Sequence, residues 1–323
     1  LIEPMSPRAV CAALYDLPGL LRCGLAVAGR APLSPGFREQ TAIAFRVLLG
    51  AVAARWWAQQ AADSHCPREV IFAITGTADT TLLERAIQRG GGRSVHAVHG
   101  QATGPNFAGI SDLALFRSRH DAAAYETLGC YRACAVQPAL EPEPQRGVAG
   151  LLLLSNLAHP MNDDFQRWGL RDEFNLLACA GAAARELGPE ASPLLWKPHP
   201  VIEQLPAETR RALRAEAAAQ GFEELPPESD AVEAAARCRW VVTSPSTVAL
   251  DLLESGSLSV VLDPQCSVLD TALAGLPRTT LAPGALMGIL RSFDADADQA
   301  QALRAALDRI GPARALDLRE PLK

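Results

Sequence analysis

The sequence predicts an α/β protein built from two doubly wound, Rossmann-like domains. Three observations predict it. The chain has 323 residues, enough for two domains, and 49% of them are hydrophobic, ample for two cores. Short β-prone apolar runs alternate with segments of helical spacing, the pattern of a parallel sheet covered by helices. The segment Glu141-Pro-Glu-Pro-Gln-Arg-Gly147 interrupts this alternation with charge and proline, as a linker does. It divides the chain into residues 1–145 and 146–323.

In the first half, Leu25-Ala-Val-Ala28 reads as a strand ending at Gly29-Arg30, and a long helix is expected from Pro35 to Ala54. The apolar run Glu69–Thr75 reads as the next strand. It ends in Thr75-Gly-Thr-Ala-Asp79 and feeds a helix over Thr81–Gln88. Ser94–Val98 is a further strand ending at His99-Gly100, followed by a short strand Ala114–Phe116 and a helix Ala122–Leu128. Functional loops of such a sheet lie at the carboxyl ends of its strands.

The second half opens on the buried-looking strand Gly150–Leu154 and the loop Ser155-Asn-Leu-Ala-His-Pro160. A helix from about Asp172 to Glu186 leads to the strand before Lys197. Helices follow over Glu208–Gln220 and Ala231–Cys238, then the strand at Trp240, a helix over Val248–Glu254 and a strand over Ser259–Asp263. A last helix begins near Asp298.

Two strand ends stand out. Leu194-Leu-Trp-Lys-Pro-His-Pro-Val201 places a fixed charge, Lys197, and a directed N–H donor, His199, in a loop stiffened by prolines. Trp240-Val-Val-Thr-Ser-Pro-Ser-Thr247 is a β-prone run closed by hydroxyls, and it enters directly the helical segment that Gly256 ends. Ser246 or Thr247 is placed to cap that helix, whose unpaired N–H groups and positive dipole end favour an anion. Two strand ends of this kind suggest one phosphate site.

A Lys-Pro-His-Pro loop followed by a Ser-rich strand-to-helix turn resembles the nucleotide-binding half of GT-B glycosyltransferases, in particular bacterial capsule and surface-polysaccharide enzymes. The His-Pro pair with a later Ser/Thr pair is similar to the signature of transferases that use CMP-activated sialic acid or Kdo. Related loops occur in polyol-phosphate transferases that use CDP-glycerol. The resemblance implies two Rossmann-like domains facing a cleft, with the acceptor on the first and the donor nucleotide on the second. It implies a terminal helix packed back across the interdomain face. It also implies metal-independent, inverting transfer of a sugar from a nucleotide-sugar, most simply CMP-linked, to a glycan or glycolipid. The alternatives are a CDP-polyol phosphotransferase, a UDP- or GDP-sugar transferase, and a module that binds nucleotide or glycan without turnover. No further cofactor is implied.

Such transfer needs a general base for the acceptor hydroxyl and electrostatic help for the departing phosphate. Lys197, His199, Ser244, Ser246 and Thr247 suit the second task. Ser155 and Asn156, at the first strand end of the second half, are placed to line the same cleft, and Glu254 to reach a ribose hydroxyl. For the base, Asp79, His99 and Asp112 compete. Asp79 is equally suited to start a helix, His99 to sit in a glycine turn, and Asp112 to begin a strand. His99-Gly100 resembles the acceptor-side segment of the polysaccharide and polyol-phosphate enzymes.

Other classes are disfavoured. A net charge of −6 argues against nucleic acid as a partner. No apolar run approaches the ~20 residues that span a bilayer, so the protein is expected to be soluble or peripheral at the inner membrane. The eight cysteines lie scattered, without a Cys-x-x-Cys pair, and read as buried thiols of a cytoplasmic protein; no metal site is expected. The chain starts at Leu1 rather than Met, which suggests trimming or excision and leaves a larger parent protein open. There is no Walker loop, no Gly-x-Gly-x-x-Gly and no Gly-x-Ser-x-Gly. There is also no strand followed by Asp-x-Asp, the motif of a metal-bridged diphosphate.

Overall fold

The computed structural model describes residue 52 and residues 69–72, 78–98, 110–128, 131–136, 142–155, 169–264, 272–293 and 296–310. The chain divides into two compact units, with the main break at Pro138. The expected strand at Leu25 and the helix from Pro35 lie outside the described residues, as do His99 and Asn156.

Among the described residues the first unit carries four parallel strands, β1 (Glu69–Phe72), β2 (Arg93–Ala97), β3 (Leu113–Phe116) and β4 (Cys134–Val136), paired in that order. Helix α1 (Ala78–Arg89) joins β1 to β2, and α2 (Arg119–Leu128) joins β3 to β4. Helix α1 buries Glu84 and Ile87, three residues apart on one face, and Ile87 packs against Phe72 of β1. Phe116, Tyr125 and Tyr131 form an aromatic cluster, with Phe116 stacked on Tyr125 at 5.1 Å.

The second unit holds six parallel strands: β5 (Ala149–Ser155), β6 (Leu194–Pro198), β7 (Glu223–Glu224), β8 (Cys238–Thr243), β9 (Ser259–Leu262) and β10 (Arg278–Thr279). Their spatial order is β7-β6-β5-β8-β9-β10. Numbered within the unit this is 3-2-1-4-5-6, the dinucleotide-binding order, and the winding reverses between β5 and β8. The helices are α3 (Leu170–Leu187), α4 (Ala207–Ala219), α5 (Ala231–Arg237), α6 (Val248–Glu254), α7 (Pro283–Ser292) and α8 (Asp296–Ile310).

The four-leucine run of β5 shows why the central strand forms. Leu151 and Leu153 point into a core shared with α3, α4 and α7, while Leu152 and Leu154 point to the opposite face, against α5 and Leu252 of α6. A strand buried on both sides needs no polar alternation, and each fully buried leucine contributes up to about 2 kcal/mol. Trp196 and Trp240 fill the first face, and each indole N–H has a partner: Ser155 Oγ at 2.8 Å and the Leu290 carbonyl at 3.0 Å.

Helix α6 ends as its sequence predicts. Gly256 takes φ +88°, Gly256 N–H donates to the Leu253 carbonyl and Ser257 N–H to the Leu252 carbonyl, which together make a Schellman motif. A side chain at Gly256 would also collide with the Glu143 carbonyl. Residues 142–147 thus lie against the second unit, tied by Gln145 N–H to the Gly256 carbonyl and by Gly147 N–H to the Cys238 carbonyl. The proline- and charge-rich segment read as a linker is docked along the amino ends of β8 and β9.

Helix α8 belongs to the second unit. Leu303, Ala306 and Ile310 enter the second unit's own core with Leu250, Leu253, Val261 and Leu276. Cys179 and Cys238 are buried thiols, pushed up to about 11 by burial, as core cysteines are. Among the described residues no helix is long and apolar enough to cross a membrane.

Candidate functional site

A pocket open to solvent lies at the carboxyl ends of β5, β6 and β8. It stands at the reversal of strand order, the place where open α/β sheets bind ligands. Its walls come from four pieces of chain: Leu154 and Ser155 of β5, Lys197–Pro200 from β6 onward, Ala231 of α5, and Ser246 and Val248 after β8. The two strand ends singled out in the sequence therefore meet in one cavity.

Lys197 sits next to the last residue of β6, and its ammonium donates to the Pro227 carbonyl at 3.1 Å. His199 is exposed and opens a 3-10 turn, Pro200–Gln204. Its backbone N–H donates to the Ser155 carbonyl at 2.8 Å, and its Nδ1 accepts from Val201 N–H at 3.1 Å. An accepting Nδ1 puts the proton of the neutral ring on Nε2. Val201 and Ile202 are buried beneath and anchor the turn.

The hydroxyls divide by role. Ser246 lines the pocket, and its Oγ accepts from Val248 N–H at 3.4 Å, a long cap. Thr247 has helical φ and ψ and makes no side-chain cap, so capping falls to Ser246. Helix α6 has only seven residues, so fixed charge at the site comes from Lys197 rather than from a long helix dipole. Ser244 is buried outside the pocket lining. Its N–H continues the sheet to the Leu154 carbonyl at 3.0 Å, and its own carbonyl accepts from Thr243 Oγ1 at 2.8 Å. The expected role of Ser244 as a phosphate ligand gives way to this place in the sheet. Ser155 lines the pocket, but its Oγ accepts from the Trp196 indole, which makes it a brace for the wall.

Glu254 does not line the pocket. It is the last residue of α6, and the ~1.5 Å rise per residue carries it about 9 Å from the pocket-lining Val248. Asp251, three residues after Val248 on the same helix face, is the acidic group of the first turn. Ala231 was not foreseen. Asp230 caps α5 through Val232 and Glu233 N–H groups at 2.7 and 3.1 Å, and so delivers Ala231 to the pocket.

In the first unit Asp112 departs from expectation. It precedes β3, at the amino edge of the sheet, the end opposite to functional loops. Its carboxylate accepts from Ser94 N–H at 3.0 Å and from Arg132 at 2.9 Å. Nearby Glu84 is fully buried and accepts from Ser111 Oγ at 2.5 Å, and burial raises its carboxyl above the usual range. Gln88 donates to the Ile110 carbonyl at 2.7 Å. These groups clamp the entrance to β3. Asp79 falls within the first turn of α1, as the helix-start alternative has it, and its side chain lies outside the described residues. His96 on β2 was not foreseen. Its Nδ1 stands 2.8 Å from Tyr131 Oη, and burial lowers the ring to about 4. Among the described residues no cluster of His, Cys, Asp and Glu is disposed to hold a metal ion.

No family model matches the sequence, and no curated protein matches it. Solved structures do. A candidate UDP-N-acetylglucosamine 2-epimerase from Listeria monocytogenes is 13% identical, covers 83% of this chain and 80% of its own, and superposes with a TM-score of 0.55. The S. aureus MnaA–UDP structure is 12% identical over 87% of this chain and 83% of its own, with a TM-score of 0.53. An α,α-trehalose-phosphate synthase (UDP-forming) from Burkholderia vietnamiensis is 13% identical over 87% and 75%, with a TM-score of 0.51. The fold is GT-B. Its two Rossmann-like α/β units are those expected from the sequence.

Proposed function

We propose that this chain is a metal-independent GT-B glycosyltransferase that binds a nucleotide-sugar through its second unit. The observation that carries the proposal is the pocket at the β5/β8 reversal, whose lining brings together Lys197, His199 and Ser246 from the two strand ends. In the proposed reaction the acceptor oxygen attacks the anomeric carbon as a base removes its proton. The bond from sugar to phosphate breaks with inversion, and its electron pair stays on the phosphate oxygen. Lys197 and the His199 Nε2–H stabilise that growing charge. Asp79 and His99 remain the candidates for the base.

The donor is proposed to be CMP-linked, with Kdo or sialic acid the sugar type and a glycan or glycolipid at the inner-membrane surface as acceptor. Among the described pocket-lining residues Lys197 is the one with a fixed positive charge, which suits the singly charged phosphodiester of a CMP-sugar. A second reading, a UDP-sugar donor, is favoured by the UDP named for all three of the similar structures. Melting temperatures with CMP, CDP, UDP and GDP test both, since a bound ligand stabilises according to its affinity. The expected order puts the cytidine nucleotides first. A larger shift with UDP transfers the assignment to UDP-sugars, and no shift with any of the four removes the nucleotide reading. Transfer is expected to persist in excess EDTA; a strict need for Mg²⁺ or Mn²⁺ contradicts the metal-independent route.

A further inference from the structure

Glu203 lies four residues beyond His199, in the turn that His199 opens. Two guanidiniums from α4 hold its carboxylate: that of Arg210, and Arg214 Nη2 at 2.7 Å. Arg210 also donates to the Glu203 carbonyl at 3.1 Å. Arg214 reaches on to β7, where Nε and Nη2 clasp the two oxygens of Glu224 at 2.8 and 3.0 Å. A chain of ion pairs thus runs from the turn carrying His199, through α4, to the edge strand of the sheet. The hydrogen bond from Arg214 holds the Glu203 carboxyl below its ordinary range, and those of Glu224 and Glu203 raise the Arg214 guanidinium.

A lone exposed ion pair contributes little. A planar guanidinium that engages two carboxylates at once differs, because its fork fixes direction as well as distance. Here the inner side of the turn is fixed by the buried Val201 and Ile202, and its outer side by Glu203. Between them sits the contact that orients the imidazole, Val201 N–H to His199 Nδ1.

We propose that Arg214 is a positioning residue for His199: by holding Glu203 and Glu224 together it locks the turn so that Nδ1 stays the acceptor and Nε2–H the donor. The proposal rests on the phosphate-site reading of the pocket, but its first readout needs no ligand.

Imidazole ¹⁵N spectra of the ligand-free wild type, Arg214→Met and Arg214→Lys give the tautomer of His199. The wild type is expected to show Nε2–H alone, and Arg214→Met the mixed tautomers of an unconstrained ring. The same variant should bind CMP, or UDP where the wild type prefers it, roughly 10-fold more weakly, the lower end of the scale for losing a residue that supports a ligand-contacting side chain. Arg214→Lys, which keeps the charge without the fork, should recover only part of both. A lower melting temperature with unchanged tautomer and unchanged affinity overturns the proposal, since that is what a merely structural ion pair would give. Should Arg214→Met fail to fold, Glu224→Gln loosens the same guanidinium from β7 and should shift the tautomer in the same direction; an unshifted tautomer there overturns the proposal too. If the wild type binds neither nucleotide, the phosphate-site reading fails, while the tautomer still decides whether Arg214 orients His199.

Discussion

The carboxyl ends of β5, β6 and β8 and the amino ends of β2 and β3 are both rich in polar side chains, yet they do different things. At the first, Lys197 at the end of β6 and His199 in the turn that follows it stand around a cavity, each oriented by backbone groups. At the second, Glu84, Gln88, Ser94, Ser111 and Asp112 bond to one another and to the chain entering β3. The difference teaches that strand direction decides what a polar residue is for. Loops at the carboxyl ends are splayed by the strand crossovers and leave room for a ligand, whereas the amino ends here are closed by direct bonds.

The strongest way to break this contrast is His199→Ala. If the Nε2–H donates to the departing phosphate, turnover should fall roughly 10²- to 10³-fold, the scale for one such donor. Folding should survive, because His199 is exposed and the bond its ring accepts from Val201 N–H resembles a helix cap worth about 1 kcal/mol. Turnover and melting temperature measured on the same sample separate the roles. Normal turnover in a destabilised protein would reduce His199 to a brace and erase the difference between the two regions.

Asp112→Ala should show the opposite pattern. The carboxylate accepts from Ser94 N–H, Ser94 Oγ and Arg132, and removing it leaves a part-buried N–H unpaired, costing roughly 2 kcal/mol. Nucleotide affinity should stay at the wild-type value. Denaturant titration alongside a binding isotherm checks both, and a loss of affinity at unchanged stability would return Asp112 to the list of functional residues.

How much of this was legible follows from what each residue needed. Lys197 and His199 could be read because a strand, its stop and its polar loop are contiguous in the chain. The helix over Val248–Glu254 was equally local, bounded by its hydroxyls and by Gly256. Asp112 could be read either way, as a base or as the start of a strand, because Gly109-Ile-Ser-Asp-Leu113 looks the same entering a strand as leaving one. The pocket role of Ala231 depends on a crossover that brings α5 over β5, and no local pattern records it. The fate of α8 was likewise hidden: its apolar stripe is visible in the sequence, but nothing there says which core receives Leu303 and Ile310.

The two regions should also differ in their response to pH. His96, buried beside Tyr131, has its ring lowered to about 4, against about 6.5 when unfolded. Between these values the unfolded chain binds a proton that the folded one does not. Stability contributed by His96 is therefore complete above pH 6.5 and is lost as pH falls towards 4. A His96→Gln variant should show a flatter fall of melting temperature across that window than the wild type. Identical slopes would mean that His96 keeps its proton when folded.

The smallest expected effect separates two adjacent hydroxyls. Ser246 Oγ accepts from Val248 N–H at 3.4 Å, while Thr247 makes no cap. Ser246→Ala should therefore destabilise the protein by roughly 0.5 kcal/mol, the low end for a cap, because the bond is long. Thr247→Ala should change stability by less, since its hydroxyl carries no part of the helix start. Binding should follow the same order: Ser246 lines the pocket and Thr247 does not, so only Ser246→Ala should weaken the nucleotide. Melting curves of both variants with and without CMP and UDP decide this. If Thr247→Ala alone loses the nucleotide-induced shift, the phosphate lies nearer the body of α6 than the pocket walls place it, and Ser246 is a cap only.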